Sequence, residues 1–229
     1  MVKSSASAIA TVARPHRLLW RNLRPLDPIL ANAIALLTSR YIGHFAMNSG
    51  SSQKRKIADI RQSIILIGMM GVGKSTVGRM LAQKLGIDFI DSDDAIVEAA
   101  GMPITEIFDR FGEDYFRDGE RRVIARLIEG PPKVIATGGG AFINSETRAL
   151  IKQKCTSIWI DAEIDMLVSR VSRKNNRPLL IGKDPRQVLT DLAEKRNPIY
   201  ALADIHVYSD TNPHTNTVDQ ILEALAKCT

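Results

Sequence analysis

The sequence predicts a three-layer α/β domain built on a five-stranded parallel sheet. Three observations predict it. Five short apolar, β-branched runs recur between residue 61 and the C-terminus; helical patterns separate them; and the first run leads straight into a glycine-rich turn that opens a helix. Strands buried on both faces read as continuous apolar runs rather than alternating ones. Strands alternating with helices assemble in parallel, because each crossover needs a helix-length connection.

The first strand is expected at "SIILIG" (63–68). "DFIDSD" (88–93), "KVIATG" (133–138), "TSIWID" (156–161) and "DIHVYS" (204–209) follow. Helical patterns fall at 74–86, at 104–128 (two helices are expected there), and at 145–154, 163–173, 185–201 and 215–227. No internal repeat or low-complexity tract interrupts them.

Charge divides the chain. Of its 31 Lys/Arg and 25 Asp/Glu, residues 1–60 hold nine basic and two acidic residues, leaving 22 and 23 for the remainder. The basic character therefore belongs to the N-terminal segment, and a nucleic-acid partner is not expected for the domain. Residues 1–60 lack strand–helix alternation and read as a basic, disordered extension, with "SGSSQKRK" (49–56) as a charged linker before a single folded domain at 61–229. A start at Met47 is an alternative account of this segment. A targeting peptide, for which residues 1–26 have five basic residues and no acid, and an interaction arm are others. No uncharged stretch of about 18 apolar residues is present, so no membrane span is expected. Cys155 and Cys228 lack metal or redox spacing, which fits a reducing, cytoplasmic setting.

"GMMGVGKST" (68–76) contains Gly68-x-x-x-x-Gly73-Lys74-Ser75 between the first strand and the first helix. This is the context a phosphate-binding loop requires. Gly68, Gly71 and Gly73 let backbone N–H groups point inward at a polyphosphate, and the helix N-terminus favours negative charge. Lys74 reaches the β/γ-phosphates, and Ser75 offers an oxygen to Mg²⁺. The loop alone does not separate a translocation ATPase, a GTPase switch and a metabolite kinase.

Other residues narrow the choice. Asp91 and Asp93 are two apart and share a side if the strand runs through both. One would hold Mg²⁺ through water and the other would orient or deprotonate an acceptor hydroxyl; helix capping near Asp94 is a compatible alternative. Arg117 and Glu120 stand at i, i+3 in "DYFRDGERR", either as a surface pair or as a glutamate-held arginine that grips an anion. "SRVSRKNNRPLL" (169–180) offers Arg170, Arg173, Lys174 and Arg177 to a cationic lid over about 170–184. Arg196 precedes Pro198, which is expected to limit its helix. "VIATGGG" (134–140) places three glycines at the carboxyl end of a strand, where open α/β sheets bind ligands. Something must approach bare backbone there.

Taken in order and spacing, "GMMGVGKSTVGRMLAQKLG", "FIDSD", "FGEDYFRDGE", "VIATGGG", "NRPLL" and "KRNPIY" resemble the shikimate kinase family over roughly 62–210. The resemblance implies a P-loop domain like that of nucleoside-monophosphate kinases, with a helical substrate-binding region near 94–128 and a lid. It implies transfer of the ATP γ-phosphate to the 3-hydroxyl of shikimate by a monomer, with one Mg²⁺ per subunit and ATP as co-substrate. Gly71, Val72, Gly73, Lys74, Ser75 and Thr76 are then expected at the phosphates, Arg170 against adenine and Arg177 reaching from the lid. Ser75 and Asp91 would hold the metal. Asp93, Lys74 and Arg177 would carry the chemistry. Asp93, Arg117, Glu120, Gly138, Gly139, Gly140 and Arg196 would bind shikimate, the two arginines gripping its carboxylate. Gly119 departs from the family's preference for stronger helix formers and is expected to weaken its helix by about 1 kcal/mol. A gluconate kinase would share the loop but not the pairing of Arg117 with Arg196. A binding module with little turnover would need neither the acid pair nor the lid.

Overall fold

The computed structural model describes residues 60–172, 180 and 182–227. The N-terminal extension, the linker, Arg173, Lys174 and Arg177 lie outside the described residues, as do most of the lid positions and Cys228.

Five parallel strands form one sheet: β1 (Ser63–Ile67), β2 (Asp88–Asp91), β3 (Lys133–Ala136), β4 (Cys155–Asp161) and β5 (Ile205–Tyr208), in the order β2-β3-β1-β4-β5. The central strand is the most apolar one. β1 is buried along its whole length and pairs with β3 (Leu66 opposite Ala136) and with β4 (Ile67 opposite Trp159). Seven helices flank the sheet among the described residues: α1 (Lys74–Leu85), α2 (Ser92–Ala100), α3 (Ile104–Ile128), α4 (Ser145–Lys154), α5 (Ile164–Val171), α6 (Pro185–Tyr200) and α7 (His214–Lys227). α1 packs on α7, α5 on α6, and α2 on α3. The main core gathers the strands with Val77, Leu81, Phe142, Leu189, Tyr200 and Ile221; a smaller cluster of Ile96, Ile107 and Phe116 joins α2 to α3.

Two local expectations change and one holds. β2 ends at Asp91 and does not continue to Asp93, because the Asp91 carboxylate accepts the Asp93 N–H at 3.1 Å and caps α2. Pro198 does not limit α6; it sits inside the last turn, which closes at Tyr200. Residues 104–128 divide as expected, but at Gly112 (φ 82°, ψ 175°), while the helix passes through Gly119 unbroken. No helix among the described residues is long and apolar enough to cross a membrane.

The order of the strands places the site. β1 and β3 are neighbours, so the turn after β1 and the glycine triplet after β3 leave the sheet side by side at its carboxyl edge. The end of β2, next to β3, brings Asp91 to the same edge.

Candidate active site

The loop between β1 and α1 has the backbone its glycines imply. Gly68, Gly71 and Gly73 take φ of 138°, 85° and 102°, a region that strains any residue with a Cβ. The Lys74 ammonium donates to the Gly68 and Met69 carbonyls at 2.8 and 3.0 Å, lying back across the loop. The Ser75 hydroxyl donates to Asp91 Oδ2 at 2.6 Å. Two oxygen donors sixteen residues apart in sequence thus meet beside the loop. This hard-oxygen pair fits Mg²⁺, which takes few protein ligands and fills its shell with water and phosphate. Among the described residues no group of three His, Cys, Asp or Glu side chains gathers around a common point.

The far side of the loop is closed by two residues. Arg170 on α5 donates to the Val72 carbonyl at 3.1 Å and reaches the Asp210 carbonyl at 3.5 Å. His214 lies against Gly73, its Cε1 2.8 Å from where a Cβ there would stand. Burial, and then the Arg170 charge, pushes the His214 pKa down. Sequence reading found Arg170 but missed His214, which carries no motif and arrives only by folding.

Asp93 reaches the site by a different route from the one expected. It sits in the first turn of α2 rather than on a strand, and the turn brings its carboxylate next to Gly138: a Cβ on Gly138 would lie 2.9 Å from Asp93 Oδ1. Glu120 Oε1 is equally close to the same point. Burial is the main force raising the pKa of Asp93, with the Asp91 charge adding to it and Lys74 opposing. Burial likewise raises Glu120, against the Arg117 charge. A carboxylate held above its ordinary range is a stronger base once ionised.

Arg117 is shared. Its Nη1 donates to the buried Glu120 at 2.8 Å, and its Nη2 donates to Glu113 at 3.0 Å. The two partners differ: Glu120 is 4% exposed and Glu113 is 65% exposed. Arg117, Arg196 and Glu113 line one cavity of about 260 Å³ with Gly140, Ile143 and Asn144. The two arginines come from helices far apart in sequence, α3 and α6.

The glycine triplet separates two meanings of glycine. None of Gly138, Gly139 and Gly140 has the left-handed φ of the loop glycines. Their requirement is space. A Cβ on Gly138 would meet Asp93 and Glu120; on Gly139 it would stand 3.1 Å from Arg196 Nη1; on Gly140 it would stand 2.7 Å from Arg117 Cζ. What approaches the bare backbone in this structure is the site's own charged side chains. Tyr200, quoted in "KRNPIY" but given no role by the sequence, donates its hydroxyl to the Gly139 carbonyl.

A phosphate-binding loop, an oxygen pair suited to Mg²⁺, two buried acids and an arginine-lined cavity on one sheet edge define a P-loop phosphotransferase for a small anionic acceptor. The comparisons narrow this class. A sequence model described as shikimate kinase matches residues 70–226. The chain is 58% identical over 164 residues to a shikimate kinase of Caulobacter vibrioides, covering 72% of this chain and 82% of that one. It is 56% identical over 166 residues to that of Zymomonas mobilis, covering 72% and 94%. The fold superimposes on shikimate kinase from Acinetobacter baumannii in complex with shikimate with a TM-score of 0.70 and 34% identity, over 74% of this chain and 95% of that one. The chain belongs to the shikimate kinase family.

Proposed function

We propose that this chain transfers the γ-phosphate of ATP to the 3-hydroxyl of shikimate. The observation that carries the reading is the convergence of Arg117 and Arg196 on one cavity beside Asp93, in a member of this family. The relative from Acinetobacter baumannii is itself a complex with shikimate.

ATP lies along the loop, its phosphates facing the N–H groups of residues 71–76. Lys74 leaves the Gly68 and Met69 carbonyls for the phosphates. The Ser75 hydroxyl and, through water, the Asp91 carboxylate would hold Mg²⁺, and the ion would supply charge neutralisation to the transferring phosphoryl group. Arg117 and Arg196 grip the acceptor's carboxylate, and Glu120 fixes the plane of the Arg117 guanidinium. Gly138 to Gly140 let the acceptor ring lie close to the site's own charges. Asp93 accepts or orients the proton of the 3-hydroxyl as that oxygen attacks. Arg170 lies against adenine. Arg177 completes the cation set from a lid over about 170–184, whose closure excludes water. The domain spans residues 61–229, acts as a monomer in the cytoplasm, and binds neither nucleic acid nor membrane.

The test is ADP release with ATP and Mg²⁺, with and without shikimate, alongside gluconate and other polyols. Rapid release that depends on shikimate supports the reading. Release with gluconate alone, or release independent of any acceptor, overturns it.

A further inference from the structure

Tyr200 is the largest fully buried side chain of the core, with 0% exposure, yet it carries a hydroxyl. Phenylalanine would fill the same space, and an unpartnered buried hydroxyl is costly. The hydroxyl donates to the Gly139 carbonyl. It also lies near Arg196: the Arg196 Nη1 and the Tyr200 hydroxyl stand 3.1 and 3.5 Å from the position a Gly139 Cβ would take. Arg196 and Tyr200 are one turn apart on α6, so they share the face that meets the triplet. The ring is backed by Trp159 on β4, centroid to centroid 6.1 Å. Trp159 in turn borders Gly68, where the phosphate loop begins, and the position of a Gly139 Cβ lies 3.5 Å from the Gly68 carbonyl oxygen.

Among the described residues no carboxylate stands within ion-pair distance of Arg196, although the Glu120 charge acts on it from farther away, whereas Glu120 and Glu113 orient the Arg117 guanidinium directly. The Tyr200 hydroxyl is the polar group one turn along α6 from Arg196. Burial raises the Tyr200 pKa, with Arg196 the foremost opposing influence and the charges of Arg117 and Glu120 also acting on it; the phenol therefore stays a proton donor to Gly139.

We propose that Tyr200 is a positioning residue of the acceptor site: its phenol holds the Gly139 backbone beside the Arg196 guanidinium and so sets both at a fixed distance from the phosphate loop. This rests on the reading of Arg196 as an anchor for the acceptor's carboxylate. The role is specific to the hydroxyl, because the ring alone satisfies the core. It acts on the acceptor half of the site and leaves the nucleotide half untouched.

Tyr200→Phe tests it in the full chain. The KM for shikimate is expected to rise roughly three- to tenfold, the scale of one lost hydrogen bond between neutral groups, with the KM for ATP unchanged within about twofold. A double-mutant cycle supplies the second readout. If Tyr200 acts through Arg196, adding Tyr200→Phe to Arg196→Ala weakens shikimate binding, measured by calorimetry, by less than half of its effect in the native background. Additive losses overturn the proposal. So does a parallel loss of ATP affinity and thermal stability, which would assign Tyr200 to the core alone, and so does an unchanged shikimate KM. Failure of the native protein to turn over shikimate would instead overturn the functional reading, and it is seen before any variant is made.

Discussion

The Arg117 guanidinium fills the space that a side chain on Gly140 would need. Its Cζ lies 2.7 Å from the position of that missing Cβ, and its Nη1 is tied to the buried Glu120. Gly140→Ala should therefore push out the movable end of Arg117 rather than strain the backbone, which lies outside the left-handed region at this position. The expected result is a KM for shikimate raised roughly tenfold or more, the scale of a displaced charge-assisted contact, with ATP kinetics and melting temperature nearly unchanged. A fall in melting temperature with equal loss of both affinities would show a folding defect instead.

Ser75 and Asp91 meet at 2.6 Å, but Asp91 also caps α2. The two roles separate by mutation. Ser75→Ala should raise the Mg²⁺ concentration needed for half-maximal rate several-fold while leaving thermal stability within about 0.5 kcal/mol. Asp91→Ala should do the same to the Mg²⁺ requirement and also cost about 1 kcal/mol through the lost cap. Magnesium titrations of activity, run beside thermal melts, check both. An unchanged Mg²⁺ requirement in Ser75→Ala would remove the serine from the metal site.

Gly119 lies inside α3, its helix continues unbroken, and nothing stands within 4 Å of where its Cβ would be. Gly119→Ala should stabilise the protein by about 0.5–1 kcal/mol, because alanine restricts the unfolded chain without meeting a neighbour. For a chain of this size that raises the melting temperature by about 1–4 °C. Shikimate and ATP kinetics should stay as they are. A lower melting temperature would mean that the site uses flexibility at this position.

Asp93 and Glu120 give a pH signature. Burial raises both above their ordinary values of 3.8 and 4.5, so the folded chain holds these protons more tightly than the unfolded chain. Their contribution to stability is complete below the unfolded values and is lost as pH rises through the folded ones. At neutral pH, Asp93→Asn should thus be more stable than the native protein by about 0.5–2 kcal/mol, as is common when a strained functional group is removed, while turnover collapses. The difference should shrink as pH falls towards about 4. Denaturant melts of both proteins across pH measure it; a gap that does not vary with pH would mean that Asp93 is not held above its ordinary range.

Much of this protein was legible before folding. The β-branched runs at 63–67 and 133–136 became the central pair of strands, because a run without polar interruption can be buried on both faces. The loop glycines were legible for a similar reason. A phosphate-binding turn is a local conformation, and Gly68, Gly71 and Gly73 adopt φ values that only a residue without a Cβ takes readily. Arg117 and Glu120 could be paired from their spacing on one helix. Asp93 could be placed at the right edge of the sheet but for the wrong local reason, since strand or helix after Asp91 turns on one capping hydrogen bond. His214 and Tyr200 could not be read at all, for their importance lies in neighbours distant along the chain.

The sequence by itself determined the class of fold, the phosphate loop and the helical pairing of Arg117 with Glu120. Each depends on interactions within a few residues or on the burial of a local pattern. Only the tertiary structure decided what the glycine triplet is for. Its backbone angles are ordinary, so its meaning is not conformational but spatial. The side chains that need the space come from α2, α3 and α6. Excluded volume among groups so far apart in sequence exists only once the chain has folded, and it is there that Asp93, Glu120, Arg117 and Arg196 become one site.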